Sequence, residues 1–133
     1  MTTTPRKQSI LIVEDDEAVR SALRRTLVRE GYEVREAREG GAALKLLASA
    51  PSDLVITDMI MPDMEGIALI IALRKDRPKL PVIAISGGAP GRAPIDYSVA
   101  LAQTWGADIV IFKPFDNDYL VEEAKKLLIQ YAA

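Results

Sequence analysis

The sequence predicts an α/β protein with a parallel sheet, and three observations support this. Short aliphatic runs alternate with longer amphipathic segments along the 133 residues. The aliphatic runs are bounded by polar residues, glycine or proline, which is typical of buried strands. The longer segments carry apolar residues at helical spacing. Because strands that alternate with helices pair in parallel, the pattern indicates one sheet with helical connections.

Five strands and five helices are predicted in alternation. The strands are 10–13, 32–36, 54–57, 81–85 and 108–112, and the half-polar second strand is expected at an edge. The helices are 16–30, 40–50, 64–76, 95–105 and a last helix from about 116. Gly31 follows the first helix as a C-terminal glycine, and Asp16 and Glu17 are expected in its first turn. The last helix is expected to turn six residues inward: Leu120, Val121, Ala124, Leu127, Leu128 and Tyr131.

The composition limits the chemistry available to the chain. Apolar residues make up 49% and charged residues 27%, which is typical of a globular domain. We expect a flexible tail at 1–8 and a single domain at 9–133, in the cytoplasm because no signal-peptide or membrane-spanning run is present. The net charge of −2 provides no general cationic field for nucleic acid or a membrane surface. With no cysteine and no histidine, the chain has no thiolate nucleophile, histidine triad or zinc site built from those residues.

Reactive side chains follow four of the predicted strands. Glu14 and Asp15 follow the first strand, Asp58 the third, Ser86 the fourth and Lys113 the fifth. Ligands of open α/β sheets bind beyond the carboxyl ends of the strands. If the strand order is 2-1-3-4-5, these ends are neighbours about 4.8 Å apart, and the side chains share one crevice.

Such a crevice suits phosphoryl transfer onto a carboxylate. Three carboxylates that lie close together require a compensating cation, and Mg²⁺, or Mn²⁺, with oxygen ligands fits this need. Lys113 and Ser86 supply a positive charge and a hydroxyl for a phosphoryl group, and Asp58 is an adequate nucleophile. The alternatives are structural: Asp58 as a helix N-cap, Ser86 as a turn residue and Lys113 as a solvated cation.

Four motifs together resemble the bacterial two-component response-regulator receiver domain. They are 13–16 (VEDD), 58–62 (DMIMP) with Gly66, Ser86-Gly87, and 113–115 (KPF), and the match spans 9 to about 131. The resemblance implies a flavodoxin-like fold of order 2-1-3-4-5, with Asp58 as phosphoacceptor. It implies metal binding by Glu14, Asp15, Asp58 and the backbone carbonyl of Ile60, and a cis bond before Pro114. It also implies a phosphoacceptor domain that assists its own phosphorylation and slow dephosphorylation, rather than an enzyme.

Two residues and one segment bear on how the conformation of such a receiver would change on phosphorylation and how long the phosphoryl group would last. Val110 stands where receivers commonly have an aromatic residue, so the usual ring rotation coupled to Ser86 is expected to be absent or relocated. Ile60 is apolar and cannot hold an attacking water, which predicts a long-lived phosphorylated Asp58. The segment 87–94, rich in glycine and proline, is expected either to reorder on phosphorylation or to be a passive loop.

The leading interpretation is a stand-alone signalling receiver that takes its phosphoryl group from a sensor histidine kinase or a histidine phosphotransfer protein. It would signal by binding a protein target, as a monomer or a weak phosphorylation-dependent dimer. One alternative is a receiver-fold adaptor that acts without phosphorylation, and another is a fragment of a larger response regulator. A phosphohydrolase would need a second aspartate at position 60, which is isoleucine. DNA binding is least favoured because no helix-turn-helix or basic patch is present.

Overall fold

Five parallel strands form the central sheet of the computed structural model, which describes residues 7–59, 66–87 and 104–131. The strand order is β2-β1-β3-β4-β5. Each boundary differs from the predicted one by no more than one residue, and the half-polar second strand lies at an edge, as expected. The strands are β1 (Ser9–Val13), β2 (Glu33–Ala37), β3 (Leu54–Asp58), β4 (Val82–Ser86) and β5 (Ile109–Phe112).

Helices connect the strands wherever the described residues include the connection. Their bounds are α1 (Glu17–Arg29), α2 (Gly40–Ser49), α3 (Gly66–Asp76) and α4 (Asn117–Tyr131). The helix predicted at 95–105 lies largely outside the described residues, of which Thr104 and Trp105 are helical. The predicted start of the third helix, at 64–65, also lies outside them.

The sheet has an apolar core on each face, because successive side chains of a strand point to opposite sides. In β1, Leu11 and Val13 face the layer of α2 and α3, whereas Ile10 and Ile12 face the layer of α1 and α4. These four side chains are fully buried. Two packed faces hold the sheet rigidly, so the ends of neighbouring strands stay in register.

Both ends of α1 are capped by residues that the sequence singles out, although one of them has a different role from the one expected. Asp16 precedes the helix, and its Oδ1 accepts hydrogen bonds from the backbone N–H groups of Ala18 (2.9 Å) and Val19 (3.3 Å). It is therefore the N-cap, while Glu17 is the first-turn acid. Gly31 follows the helix with φ +97°, a left-handed conformation that favours glycine.

The inward face of α4 is shorter than predicted. Leu120, Val121, Ala124 and Leu128 are buried as expected, and Leu127 is half-buried. Tyr131 was expected inside but is exposed. Its hydroxyl instead donates a 2.6 Å hydrogen bond to Asp108 Oδ1 beside β5.

Asp108 links that end of the molecule to the rest of the sheet. Its Oδ2 also accepts from Arg74 on α3 (3.3 Å) and from the backbone N–H of Val82 (2.8 Å). Tyr131 is therefore held at the end of α4 by its hydrogen bond to Asp108 and not by burial in the core. None of the helices in the described parts of the chain has the length and apolarity needed to cross a bilayer.

Candidate functional site

The strand register brings the predicted site residues together at the carboxyl ends of the strands, which form one edge of the sheet. β1 and β3 pair up to Val13 opposite Thr57, so Glu14 and Asp58 are the next residues along two adjacent strands. β4 ends on Ser86, which is paired with Phe112, and Lys113 directly follows Phe112. The four strand ends are therefore neighbours in the sheet, as the order 2-1-3-4-5 requires.

Glu14 is almost completely buried and is held by both its backbone and its side chain. Its backbone N–H donates to the carbonyl of Ala37 on β2, at 3.0 Å. Its Oε1 accepts from Lys113 Nζ at 3.1 Å, and its Oε2 accepts from the backbone N–H of Asp16 at 3.3 Å. A carboxylate held at both oxygens has a fixed position beside Asp58.

Three carboxylates gather at this edge. One oxygen each from Glu14, Asp15 and Asp58 lies within 4.8 Å of the other two. Glu14 and Asp58 are buried, whereas Asp15 is exposed to solvent. Such a set of hard oxygen donors, open on one side, fits a divalent cation of the Mg²⁺ type, which keeps several water ligands.

Asp58 lies at the end of β3 and is only 5% exposed. Its Oδ2 accepts a hydrogen bond from Lys113 Nζ at 3.0 Å. Its backbone carbonyl accepts from the hydroxyl of the fully buried Thr57, at 2.9 Å. The next residue, Met59, donates its N–H to the carbonyl of Ile85 at 2.9 Å, so the ladder to β4 continues past the aspartate.

Among the described residues, Lys113 is the cation that contacts the cluster, and it bridges two of the carboxylates. Burial alone lowers the pKa of its ammonium group, but hydrogen bonds to Asp58 and Glu14 outweigh that effect and raise the pKa above its ordinary value. The ammonium group therefore stays charged at neutral pH. It compensates part of the negative charge of the cluster.

Glu14 shows the effect of the negative charge that Lys113 does not compensate, because its pKa is raised. The pKa of this carboxyl is raised from 4.5 to about 7, first by burial and then by hydrogen bonding to, and charge repulsion from, the adjacent Asp58. Lys113 and the N–H of Asp16 act in the opposite direction without cancelling the shift. One lysine is thus insufficient for the acidic cluster, and a further cation would favour the ionised form of all three groups.

Ser86, Val110 and Pro114 lie close to this edge in the sheet and its following loop. Ser86 is half-buried, and its carbonyl accepts from the Lys113 N–H at 2.9 Å. Val110 is 3% exposed, is paired with Ala84 and belongs to the core on the α2 and α3 side. The peptide bond between Lys113 and Pro114 is cis, as the resemblance implies.

Two contacts that hold the site backbone in place cannot be recognised from the sequence alone. A Cβ on Gly66 would lie 2.6 Å from Met59 Cα and 2.7 Å from the Asp58 carbonyl oxygen, so α3 begins in direct contact with the backbone at Asp58. The Nη1 group of Arg20 donates a hydrogen bond to the carbonyl of Glu14 at 2.8 Å. Gly66 appears in a motif but its role depends on a tertiary contact, and Arg20 looks like an ordinary surface residue of an amphipathic helix.

An apolar groove lies beside the carboxylate cluster. Its volume is about 530 Å³, and Lys113 lies between the groove and the cluster. The remaining lining comes from α1 and from the loop and first turn after Lys113: Ala18, Val19, Ala22, Pro114, Phe115 and Asn117. The groove therefore provides an open apolar surface directly beside the carboxylate cluster.

Several predicted features fall outside the described residues. Ile60, the predicted backbone ligand, is among them, as are positions 61–62 of the phosphoacceptor motif. The segment 88–94, which makes up most of the predicted loop, also lies outside. The expectations attached to these residues remain predictions.

Comparison with known proteins identifies the family. The response regulator receiver domain family matches residues 10–125, and the chain belongs to that family. The response regulator MprA of Mycolicibacterium vanbaalenii is 37% identical over 119 residues, which are 90% of this chain and 49% of that protein. The DNA-binding transcriptional regulator NtrC of Azospirillum brasilense is 35% identical over 120 residues, 90% of this chain and 24% of that protein. The chain thus spans half or less of the length of these relatives.

Solved structures support the same assignment. A CheY-like response regulator receiver domain from Methanospirillum hungatei superposes with a TM-score of 0.82 at 33% identity, covering 96% of this chain and 98% of that one. The response regulator TrrA of Thermotoga maritima, solved in complex with Mg²⁺ and BeF, has a TM-score of 0.77 at 34% identity, covering 90% and 98%. The fold is therefore the flavodoxin-like receiver fold that the sequence predicts.

Proposed function

We propose that the chain is a phosphorylation-dependent switch that accepts a phosphoryl group on Asp58 with the help of Mg²⁺. The observation that carries this proposal is the convergence of three carboxylates within 4.8 Å, two of which share the Lys113 ammonium group. This arrangement combines a nucleophile, a cation and a metal-binding donor set in one crevice. Membership of the receiver family supports the same role.

Glu14, Asp15 and Asp58 are the side chains that would hold the metal, and the backbone carbonyl of Ile60 is a further proposed ligand. The bound ion would neutralise negative charge on the cluster and on the phosphoryl oxygens. TrrA, which was solved with Mg²⁺ and BeF, is a relative in which both are present. The raised pKa of Glu14 supports the fit, because it reflects negative charge that Lys113 alone does not compensate.

The proposed reaction is a displacement at phosphorus. A carboxylate oxygen of Asp58 attacks the phosphorus of a phosphohistidine, and the P–O bond forms as the P–N bond breaks. The electron pair of the P–N bond stays on the imidazole nitrogen, which takes a proton from water. Lys113 stabilises charge on the phosphoryl oxygens, and the Ser86 hydroxyl donates to one of them.

The donor is proposed to be a sensor histidine kinase or a histidine phosphotransfer protein. Any such donor must bring its imidazole to Asp58 and must therefore contact the protein surface around the site. The apolar groove beside Lys113 supports this proposal, since it offers a contact area next to the phosphoacceptor. The output is proposed to be binding to a protein target, because the net charge of −2 does not favour nucleic acid as the partner of this domain.

Incubation with Mg²⁺ and acetyl phosphate, followed by intact mass measurement, tests the proposal. The wild-type protein should gain one phosphoryl group, and Asp58→Asn should gain none. Asp53→Asn is a matched control, because Asp53 is also an acidic residue of the β3 region but lies before the strand, away from the cluster. An adduct that persists in Asp58→Asn would contradict the assignment of the acceptor.

A further inference from the structure

Arg20 connects three segments of the chain next to the carboxylate cluster: α1, the loop after β1, and β2. It lies in α1, and its side chain is only 12% exposed. Its Nη1 donates to the carbonyl oxygen of Glu14 at 2.8 Å, and its Nε donates to Glu36 Oε1 on the edge strand β2 at 3.1 Å. The guanidinium group thus ties the loop after β1 to a neighbouring helix and strand.

The carbonyl that Arg20 binds belongs to the peptide unit between Glu14 and Asp15. A peptide unit is planar, so a fixed carbonyl oxygen also fixes the direction in which the chain leaves toward the Asp15 Cα. The N–H of Glu14 is already held by Ala37 at 3.0 Å. Asp15 itself is exposed, so packing contributes little to its orientation. The backbone before Asp15 therefore fixes the position of its Cα, from which the carboxylate extends to within 4.8 Å of Asp58.

We propose that Arg20 is a positioning residue for the metal site, which holds the Glu14–Asp15 peptide so that the Asp15 carboxylate faces Asp58. This inference rests on the proposed function, since it assigns Arg20 a role in binding the divalent cation. Glu36 completes the arrangement by fixing the guanidinium group from β2. Partners that orient metal ligands in this way typically change metal affinity by about 10- to 100-fold when removed.

The electrostatic effect of Arg20 has the opposite sign from its positioning effect. A positive charge near three carboxylates repels a divalent cation, so removal of the charge alone should strengthen metal binding. Loss of the hydrogen bond to Glu14 should weaken it, because the Asp15 carboxylate would no longer be directed toward Asp58. The direction of the change therefore distinguishes the two roles.

Arg24 offers a matched control on the same helix. Its Nε contacts the other oxygen of Glu36 at 3.4 Å, and its side chain is more exposed, at 43%. A change of Arg24 to methionine removes the same charge, one helical turn further along, and leaves the bond between Arg20 and Glu14 intact. Methionine keeps much of the apolar stem of arginine, which limits the loss of packing.

The experiment measures Mn²⁺ binding from the electron paramagnetic resonance signal of the free ion. Arg20→Met should bind Mn²⁺ about 10-fold more weakly than the wild type. Arg24→Met should bind it as tightly as the wild type or slightly more tightly. Arg20→Lys keeps the charge but has a single donor nitrogen, which cannot reach both the Glu14 carbonyl and Glu36 as the guanidinium group does. Its affinity for Mn²⁺ should therefore lie between those of the wild type and Arg20→Met. That variant decides the question if Arg20→Met does not fold.

Adduct formation from acetyl phosphate supplies a second readout. At saturating Mn²⁺, the rate in Arg20→Met should return to near the wild-type value, because Asp58 and Lys113 are unchanged, while the metal concentration at half-maximal rate should rise. A folded Arg20→Met that binds Mn²⁺ as tightly as Arg24→Met would overturn the inference. If the wild-type protein itself bound no Mn²⁺, the proposed function would fail as well.

Discussion

Glu14 is the residue at which burial and charge conflict most strongly. Its side chain is almost completely buried, yet it lies beside Asp58 and shares the Lys113 ammonium group with it. Desolvation, and then the neighbouring carboxyl, raise its pKa to about 7. The position is therefore unfavourable for the stability of the metal-free protein, and the cation proposed for this cluster would offset that cost.

The pH dependence of stability should reveal this conflict. The folded pKa of Glu14, about 7, lies above the unfolded value of 4.5, so the folded protein holds this proton more tightly. The resulting stability is fully present below pH 4.5 and is lost as the pH rises through 7. In chelator-treated protein, the unfolding free energy of the wild type should therefore fall relative to that of Glu14→Gln as the pH rises from 4.5 to above 7, by at most about 3–4 kcal/mol. Urea denaturation at several pH values measures it, and a constant difference would contradict the assignment.

At the scale of elements, the first residue of α3 restricts the position of the backbone at Asp58 and Met59. The backbone of Gly66 contacts the backbone of Met59 and the Asp58 carbonyl so closely that no side chain fits between them. The Gly66 N–H also donates to the carbonyl of Met59 at 3.1 Å. The start of the helix thus packs directly against the backbone of Asp58, the proposed phosphoacceptor.

Gly66→Ala should therefore disturb both stability and phosphorylation. The new methyl group would lie 2.6 Å from Met59 Cα, and the shift needed to relieve that overlap should lower the unfolding free energy by about 1–3 kcal/mol. Adduct formation should slow, because the backbone at Asp58 must move. Gly41→Ala in α2 is the control, since its closest neighbours are side-chain atoms of Glu39. Equal thermal stability and equal phosphorylation rates for Gly66→Ala and the wild type would show that the contact is unimportant.

The elements also show what a sequence can and cannot predict. The strand ends were predictable, because aliphatic runs locate the strands and the polar residues that follow them lie beyond their ends. The roles of Gly66 and Arg20 were not, because each depends on a contact between elements. Tyr131 was wrongly placed inside, since helical spacing alone does not indicate where a helix extends past the core. The absence of ring rotation at Val110, and the metal-binding carbonyl and slow dephosphorylation attributed to Ile60, stay predictions.

At the scale of the whole molecule, the strand order creates the site. From β1 the chain adds β2 on one side and then β3, β4 and β5 on the other, and α/β sheets bind ligands at the point where the strand order reverses in this way. Apolar cores on both faces hold the five strands in place, so their ends meet at one edge. Glu14, Asp15, Asp58 and Lys113 come from the ends of three strands, β1, β3 and β5, which are far apart in the sequence. Only the intact sheet brings them together.

Addition of Mg²⁺ and beryllofluoride to ¹⁵N-labelled protein, followed by NMR, tests this central claim most directly. Beryllofluoride mimics a phosphoryl group on a carboxylate, so the two reagents together should shift the amide signals of all the site segments. We expect large shifts around Asp15, Asp58, Ser86 and Lys113, a requirement for both reagents, and no response in Asp58→Asn. Shifts confined to one segment, or an undiminished response in Asp58→Asn, would contradict a shared phosphoryl site.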